Sequence, residues 1–261
     1  MAHGVIAPID QQRLALAAGA DYLESTVVGT LVAPSPTEGA WEPVRLAPSP
    51  ARPVPSFAIL IPGDLRVADP SVPMGRIRAY ARTALDAVAA VAGHGAKIVL
   101  GSGAARTIGP DVPASEGAAR FAEVLILFRD EARARGLEIV LEPLHRGETD
   151  LIHTVGEAAQ FLDAHGIEGV RIVADLFHIQ LEAEPLAQVE LLAGRVGHAH
   201  IADTDRVPPG QGDWPLGEFL AALRRGGYTG DVTLECRWED LAAELPDALA
   251  AVRAADPAHR S

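Results

Sequence analysis

The sequence predicts an α/β fold: one (β/α)8 TIM barrel over residues 1–261, with a shortened, proline-rich second unit. Three observations carry this. At 261 residues the chain fits one such barrel, typically ~250 residues, better than two small domains. Short apolar, strand-like runs alternate with longer helix-like segments along the chain. Four of the later runs carry an acid or a histidine near the C-terminal end: Glu142, Asp175, His200 and Glu235. Their successive intervals of 33, 25 and 35 residues are each about one strand–helix unit.

Taken in order, residues 3–7 read as a short first strand, 11–18 as a helix and 21–26 as the second strand. The stretch 27–56 holds seven prolines, at 34, 36, 43, 48, 50, 53 and 55. Proline lacks an amide proton and clashes with the preceding helical turn. A long helix is therefore excluded there, and a meandering loop with at most a short helix is expected. Residues 57–61 are the expected third strand, closed by Pro62 and Gly63. A helix follows over 75–92, with Ile77, Tyr80, Ala81, Ala84, Leu85 and Val88 on one face. Residues 98–100 form the fourth strand, opened by Lys97, and 115–135 a long helix capped by Gly136. The apolar run 138–144 reads as a buried parallel strand. Helix 155–164, strand 170–175, helix 185–193, strand 196–202, helix 216–225, strand 231–235 and helix 241–254 complete the alternation. Short connections of this kind imply a parallel sheet closed on itself.

Strand side chains alternate. If Glu142 points into the barrel, Val140 lies one layer deeper. By the same parity Val173 underlies Asp175, His198 underlies His200 and Thr233 underlies Glu235. A ligand layer above a mostly apolar layer is thus expected. Any one of these acids alone reads as a strand-end cap; four ligand-type groups on consecutive strands read as one metal site. Two glutamates, an aspartate and a histidine form an O/N donor set. It suits one divalent ion, Mn²⁺, Mg²⁺ or Co²⁺, with Zn²⁺ as the alternative, better than a closed structural zinc site.

Loops over the same rim carry further polar residues. Glu148 lies six residues beyond Glu142, His178 three beyond Asp175 and Arg206 six beyond His200. Together they read as polar fingers for a hydroxylated ligand, with His145 and Arg146 beside them. Glu24 closes the second strand and is a candidate to face the site. Gly101-Ser102-Gly103 with Arg106 reads as a tight turn or a close approach of backbone to ligand. It lacks the spacing of a nucleotide loop. Cys236 should pack under the helices, and His94, His153, His165 and His259 are assigned no role.

Composition excludes several classes. A net charge of −13 argues against nucleic-acid and anionic-membrane partners. The single cysteine excludes an internal disulfide framework and suits a reducing, cytoplasmic location. No signal peptide or membrane-length apolar run is read. The only lysine, Lys97, is placed at the start of its strand, away from the C-terminal ends where barrels do chemistry, which disfavours Schiff-base aldol chemistry.

The segments Leu141-Glu-Pro-Leu-His-Arg-Gly-Glu-Thr149, Ala174-Asp-Leu-Phe-His178, His198-Ala-His-Ile-Ala-Asp203 and Leu234-Glu-Cys-Arg-Trp238 resemble the xylose-isomerase-like sugar isomerase/epimerase superfamily. The nearest branches are the ketose 3-epimerases of the tagatose and psicose type, with hydroxypyruvate isomerases close by. The resemblance spans the third to eighth strands. It implies that Glu142, Asp175, His200 and Glu235 ligate the metal and that Glu142 and Glu235 are catalytic acid/bases. Glu148, His178 and Arg206 match substrate-binding positions. It also implies a small sugar or keto-acid substrate and a homo-oligomer, dimer or tetramer. The chain departs from the pattern at His145, where those epimerases often carry Asn, and at Gly147, where an aromatic residue is common. The expected activity is movement of a carbon-bound proton on a hydroxy-ketone through a cis-enediolate. The alternatives are a metal-dependent keto-sugar or cyclitol dehydratase and a non-catalytic sugar-binding relative. An abasic-site endonuclease shares the barrel, but it needs a larger ligand set and a basic surface that the sequence does not show.

Overall fold

In the computed structural model, residues 1–47 and 49–256 are described. Pro48 and His259, both weighed above, lie outside them. The strands are β1 His3–Ala7, β2 Tyr22–Thr26, β3 Val32–Pro34, β4 Trp41–Pro43, β5 Val54–Ala58, β6 Ala92–Leu100, β7 Glu138–Leu141, β8 Arg171–Asp175, β9 Val196–Ile201 and β10 Val232–Leu234. The helices are α1 Gln12–Ala17, α2 Met74–Ala89, α3 Gly103–Arg106, α4 Ala114–Arg133, α5 Val155–Ala164, α6 Leu176–Leu181, α7 Leu186–Leu192, α8 Leu216–Arg225 and α9 Leu241–Ala255. Eight strands close into a barrel in the order β1-β10-β9-β8-β7-β6-β5-β2, every neighbouring pair parallel. This is the single (β/α)8 barrel that the alternation predicts.

The helices bury their apolar stripes against the outside of the barrel. On α2 the buried set is Ile77, Tyr80, Ala81, Ala84, Leu85 and Val88, the face read from the 3.6-residue period. On α8 it is Leu216, Phe219, Leu220, Ala222 and Leu223.

Four elements differ from the sequence reading. The third barrel strand covers Val54–Ala58 and not 57–61, because the chain leaves the sheet at Ile59, whose φ of 53° is left-handed. Pro53 and Pro55 had marked this stretch as loop. Pro55 is tolerated because the β5–β6 register shifts between Val54 and Ser56, and a bulge needs no ladder bond there. Between β2 and β5 the described residues form no helix; β3 and β4 pair antiparallel, and Trp41 packs edge-on against Tyr80 of α2 with ring centroids 5.5 Å apart. Strand β6 begins at Ala92, so Lys97 lies within it rather than opening it. Finally, Asp175 is followed at once by α6, which the sequence reading had left as loop.

The barrel interior is divided. Ala58, Val99, Val140 and Val173 form a small apolar cluster, with Ile6 packed against it. Beside it lies a group of buried polar side chains, Glu24, Ser56, His198 and Thr233. The expected apolar underlayer therefore holds under Glu142 and Asp175 but not under His200 and Glu235. Within the described residues no helix is long and apolar enough to cross a membrane.

Candidate metal centre

Strand ends bring four side chains together. Asp175 and His200 are register partners on β8 and β9, and Thr233 partners His200 from β10. Glu142 and Glu235 stand one residue past their strands, yet their amides still donate to Leu100 and Ile201, at 3.1 and 3.0 Å. The ladder thus continues to the residue that carries each carboxylate. One ligand atom from each of Glu142, Asp175, His200 and Glu235 lies within 4.8 Å of all the others. His200 Nδ1 is 3.0 Å from Glu142 Oε1 and 3.3 Å from Glu235 Oε2.

Each group has a distinct support. Asp175 Oδ1 accepts the Phe177 amide at 2.9 Å and caps α6, so this acid is a cap and a member of the cluster at once. Its Oδ2 is buried without a hydrogen-bond partner. Such an atom is costly to leave unpaired, and this one faces the cluster. Arg206 Nη1 donates to Glu235 Oε2 at 2.9 Å, and its guanidinium lies 4.0 Å from the Phe177 ring centroid. Arg106, fully buried, donates to the backbone carbonyls of Glu142 at 2.7 Å and Ile152 at 3.2 Å. The Gly101–Arg106 segment, which runs into α3, therefore braces the β7 end, and its first three residues also line the cavity at the mouth. Gly101 leaves room for the Glu142 carboxylate: a Cβ there would come within 2.2 Å of Oε2 and displace it.

The electrostatics follow the division of the barrel. Burial pushes the Asp175 carboxyl up to about 7 against the pull of Arg206, and it also raises Glu142. At Glu235 burial is outweighed by Arg206 and His200, which hold the carboxyl well below the usual range. Burial is outweighed at His200 too, where Glu24, Glu142 and Glu235 hold the imidazole well above its ordinary value.

The rim residues are placed differently. His178 is buried on α6, 3.1 Å from Arg206 Nη2 and 3.0 Å, through Nδ1, from His145 Nδ1. Burial, with Arg206 alongside, lowers it to about 2, so the ring is neutral. Glu148 sits on a loop with its side chain 41% exposed and its Oε1 3.6 Å from His145 Nδ1. Glu148, His178 and Arg206 all line one cavity of ≈190 Å³ with Glu142 and Glu235. Two larger clefts, ≈590 and ≈610 Å³, lie on the outer surface, one beside α8 and the other between α2 and α4.

The sequence reading gave Glu24 too shallow a place. It is in the middle of β2, fully buried, and donors converge on it from three other strands. The signal available was an acid in the middle of a strand-like run, two residues after Tyr22 and so on the same face of the strand. Among the aromatic residues, Trp214 packs on Phe177 at 5.6 Å, Trp41 packs on Tyr80, and the Tyr22 hydroxyl meets Thr233 inside the barrel. Cys236 is partly buried, packs on the core, and its thiol is pushed up by burial.

The fold and the clustered mouth define a TIM-barrel protein whose polar chemistry gathers at the C-terminal ends of its strands. The chain belongs to the xylose isomerase-like TIM barrel family, whose description matches residues 62–255. It is 35% identical over 126 residues to 3-dehydro-D-guloside 4-epimerase of Escherichia coli strain K12, covering 47% of this chain and 48% of that protein. It is 36% identical over 96 residues to D-psicose 3-epimerase of Enterocloster bolteae, 36% of this chain and 32% of that one. The matched stretches thus span about half or less of these curated relatives. A crystal structure of D-allulose 3-epimerase from Methylomonas sp. superposes with a TM-score of 0.79 at 20% identity, covering 98% of both chains, a likeness of fold.

Proposed function

We propose that this protein is a divalent-metal-dependent sugar isomerase or epimerase that moves a carbon-bound proton on a ketose-type hydroxy-ketone. One observation carries the reading: donor atoms of Glu142, Asp175, His200 and Glu235 lie within 4.8 Å of one another on four successive barrel units. The donor chemistry fits a divalent cation, with three carboxylates, one imidazole and a buried Asp175 oxygen that makes no hydrogen bond. These four residues would hold it, with manganese our first choice and magnesium, cobalt and zinc as alternatives. When bound, such an ion supplies Lewis-acid stabilisation of negative charge on neighbouring substrate oxygens. The names of the relatives, which are sugar epimerases, support the substrate class.

The chain's own groups do the proton work. Glu142 and Glu235 line the same cavity, so one carboxylate removes a proton from carbon while the other returns one. On opposite faces of a single carbon they epimerise it; one carboxylate acting on adjacent carbons isomerises an aldose and a ketose. Glu148, His178 and Arg206 bind the sugar hydroxyls along the same wall. Arg206 already pairs with Glu235, which disfavours a phosphorylated substrate needing a free cation. We further assign residues 1–261 to one barrel domain acting in the cytoplasm, consistent with a single cysteine, and acting on a small molecule.

The test is a screen of ketoses and keto-acids in heavy water with Mn²⁺, Mg²⁺, Co²⁺ or Zn²⁺, read by NMR and mass. Deuterium uptake with conversion to an isomer supports the reading. A product lighter by one water identifies a lyase, and absence of turnover together with absence of metal binding overturns the proposal.

A further inference from the structure

Beneath the four-residue cluster lies a second one that the proton chemistry leaves unused. The Glu24 carboxylate is fully buried and accepts four hydrogen bonds. Oε2 takes His198 Nε2 at 2.6 Å, Thr233 Oγ1 at 2.8 Å and Ser56 Oγ at 2.9 Å; Oε1 takes His200 Nε2 at 3.0 Å. Since the Thr233 hydroxyl donates to Glu24, its oxygen accepts from the Tyr22 hydroxyl at 2.7 Å. Three donors on one oxygen lock the carboxylate in place, and the other oxygen is left for His200.

That arrangement decides the state of His200. Without metal the surrounding carboxylates favour the doubly protonated ring; a cation that takes one nitrogen displaces the proton there, and the ring keeps the other proton on the nitrogen whose partner accepts it. Nε2 faces Glu24, which can only accept. Nδ1 faces Glu142 at 3.0 Å and Glu235 at 3.3 Å, which would otherwise compete for the same proton. A proton on Nδ1 would close the position where four donor atoms converge.

We propose that Glu24 is the positioning residue of this site: it keeps the His200 proton on Nε2 and so reserves the Nδ1 lone pair for a divalent cation. The inference rests on the metal-binding reading above. It gives a purpose to Tyr22, Ser56, His198 and Thr233, which would otherwise be an unexplained polar plug inside a barrel. A carboxamide at position 24 has one acceptor oxygen and brings donors toward donors. Glu24→Gln is therefore expected to weaken Mn²⁺ binding about 10–100-fold, the range for removing the partner of a metal-ligating histidine.

The experiment has two arms. Calorimetric titration with Mn²⁺ compares wild type with Glu24→Gln, while thermal unfolding of both metal-free proteins reports any structural loss. ¹⁵N-resolved NMR of ring-labelled protein with and without Zn²⁺ follows His200. The expected signature is a slowly exchanging Nε2–H in wild type, with Nδ1 shifted as the metal-bound nitrogen, and loss of that proton signal in Glu24→Gln. Wild-type affinity in Glu24→Gln, or Nε2 as the metal-bound nitrogen, would overturn the assignment. If Glu24→Gln does not fold, Thr233→Val removes one of the three donors that lock Glu24; an unmoved Nε2–H resonance then refutes the proposal. If wild type binds neither ion, the metal reading fails. The Nε2–H signal of the metal-free protein still decides for or against Glu24 as the holder of the proton.

Discussion

The two sides of the barrel interior are built on opposite principles. Under Glu142 and Asp175 the packing is aliphatic, supplied by Ala58, Val99, Val140 and Val173. Under His200 and Glu235 it is hydrogen-bonded, supplied by Glu24, Ser56, His198 and Thr233. On the polar side each charge already has a partner: His200 has Glu24, and Glu235 has Arg206. On the aliphatic side burial raises both carboxyls, and Asp175 Oδ2 makes no hydrogen bond, with Arg206 Nη2 3.6 Å away. In one half of the mouth ion pairing outweighs burial; in the other burial outweighs the nearby His200 and Arg206, and a cation would redress it.

The strongest break in this comparison is chemical. Glu142→Gln and Glu235→Gln remove groups from opposite sides, and each is expected to slow solvent-deuterium exchange into substrate about 10²–10⁴-fold, with the circular dichroism spectrum unchanged. Full exchange in either variant would rule out the two-carboxylate scheme.

The next effect is on stability. Mn²⁺ at about 100 times its dissociation constant should stabilise the protein by about 2.7 kcal/mol. For a chain of this size that is a rise of about 5–10 °C in melting temperature. Asp175→Asn should abolish the rise without lowering the melting temperature of the metal-free protein, since Asn can keep the α6 cap and removes a carboxyl whose charged form burial disfavours.

The same asymmetry sets a pH dependence. Asp175 is raised from its ordinary value to about 7, so the metal-free folded state holds a proton that the unfolded chain releases earlier. This contribution is full below the ordinary aspartate range and is lost as pH rises through about 7. Denaturant titrations of chelated protein at several pH values should show that decline, and saturating metal should flatten it. Binding should release protons and tighten as pH rises.

Smaller substitutions sharpen the contrast between the layers. A hydroxyl placed among Ala58, Val99 and Val173 by Val140→Thr should cost about 1–3 kcal/mol, because these side chains offer it no hydrogen bond. On the polar side Ser56→Ala removes one of four donors to Glu24 and should cost about 1 kcal/mol. Chemical denaturation of each measures both. Equal costs would mean that the two layers differ less than their composition suggests.

The sequence made most of the site's placement legible, because it repeats a simple sign: an apolar run ending in a ligand-type side chain. That sign places Glu142, Asp175, His200 and Glu235, and alternation places Val140 and Val173 beneath two of them. Alternation alone could not tell that His198 and Thr233 would meet Glu24, since their partner lies on a strand far away in sequence. The third barrel strand was misplaced because prolines usually end sheets; the bulge at Pro55 depends on its neighbour, which local reading does not see. His178 was read as loop because the cap of α6 is Asp175 itself, a residue already assigned to another task. What stayed hidden was in each case a contact between distant segments.

Gly101 has a use beyond this molecule. Even a methyl group there would collide with the Glu142 carboxylate, so the identity of position 101 reports on what position 142 can do. In newly sequenced relatives, a glutamate matching Glu142 beside any residue larger than glycine at this point would mark a barrel whose mouth has been rearranged. A single column of an alignment could then sort candidates for assay before any is expressed.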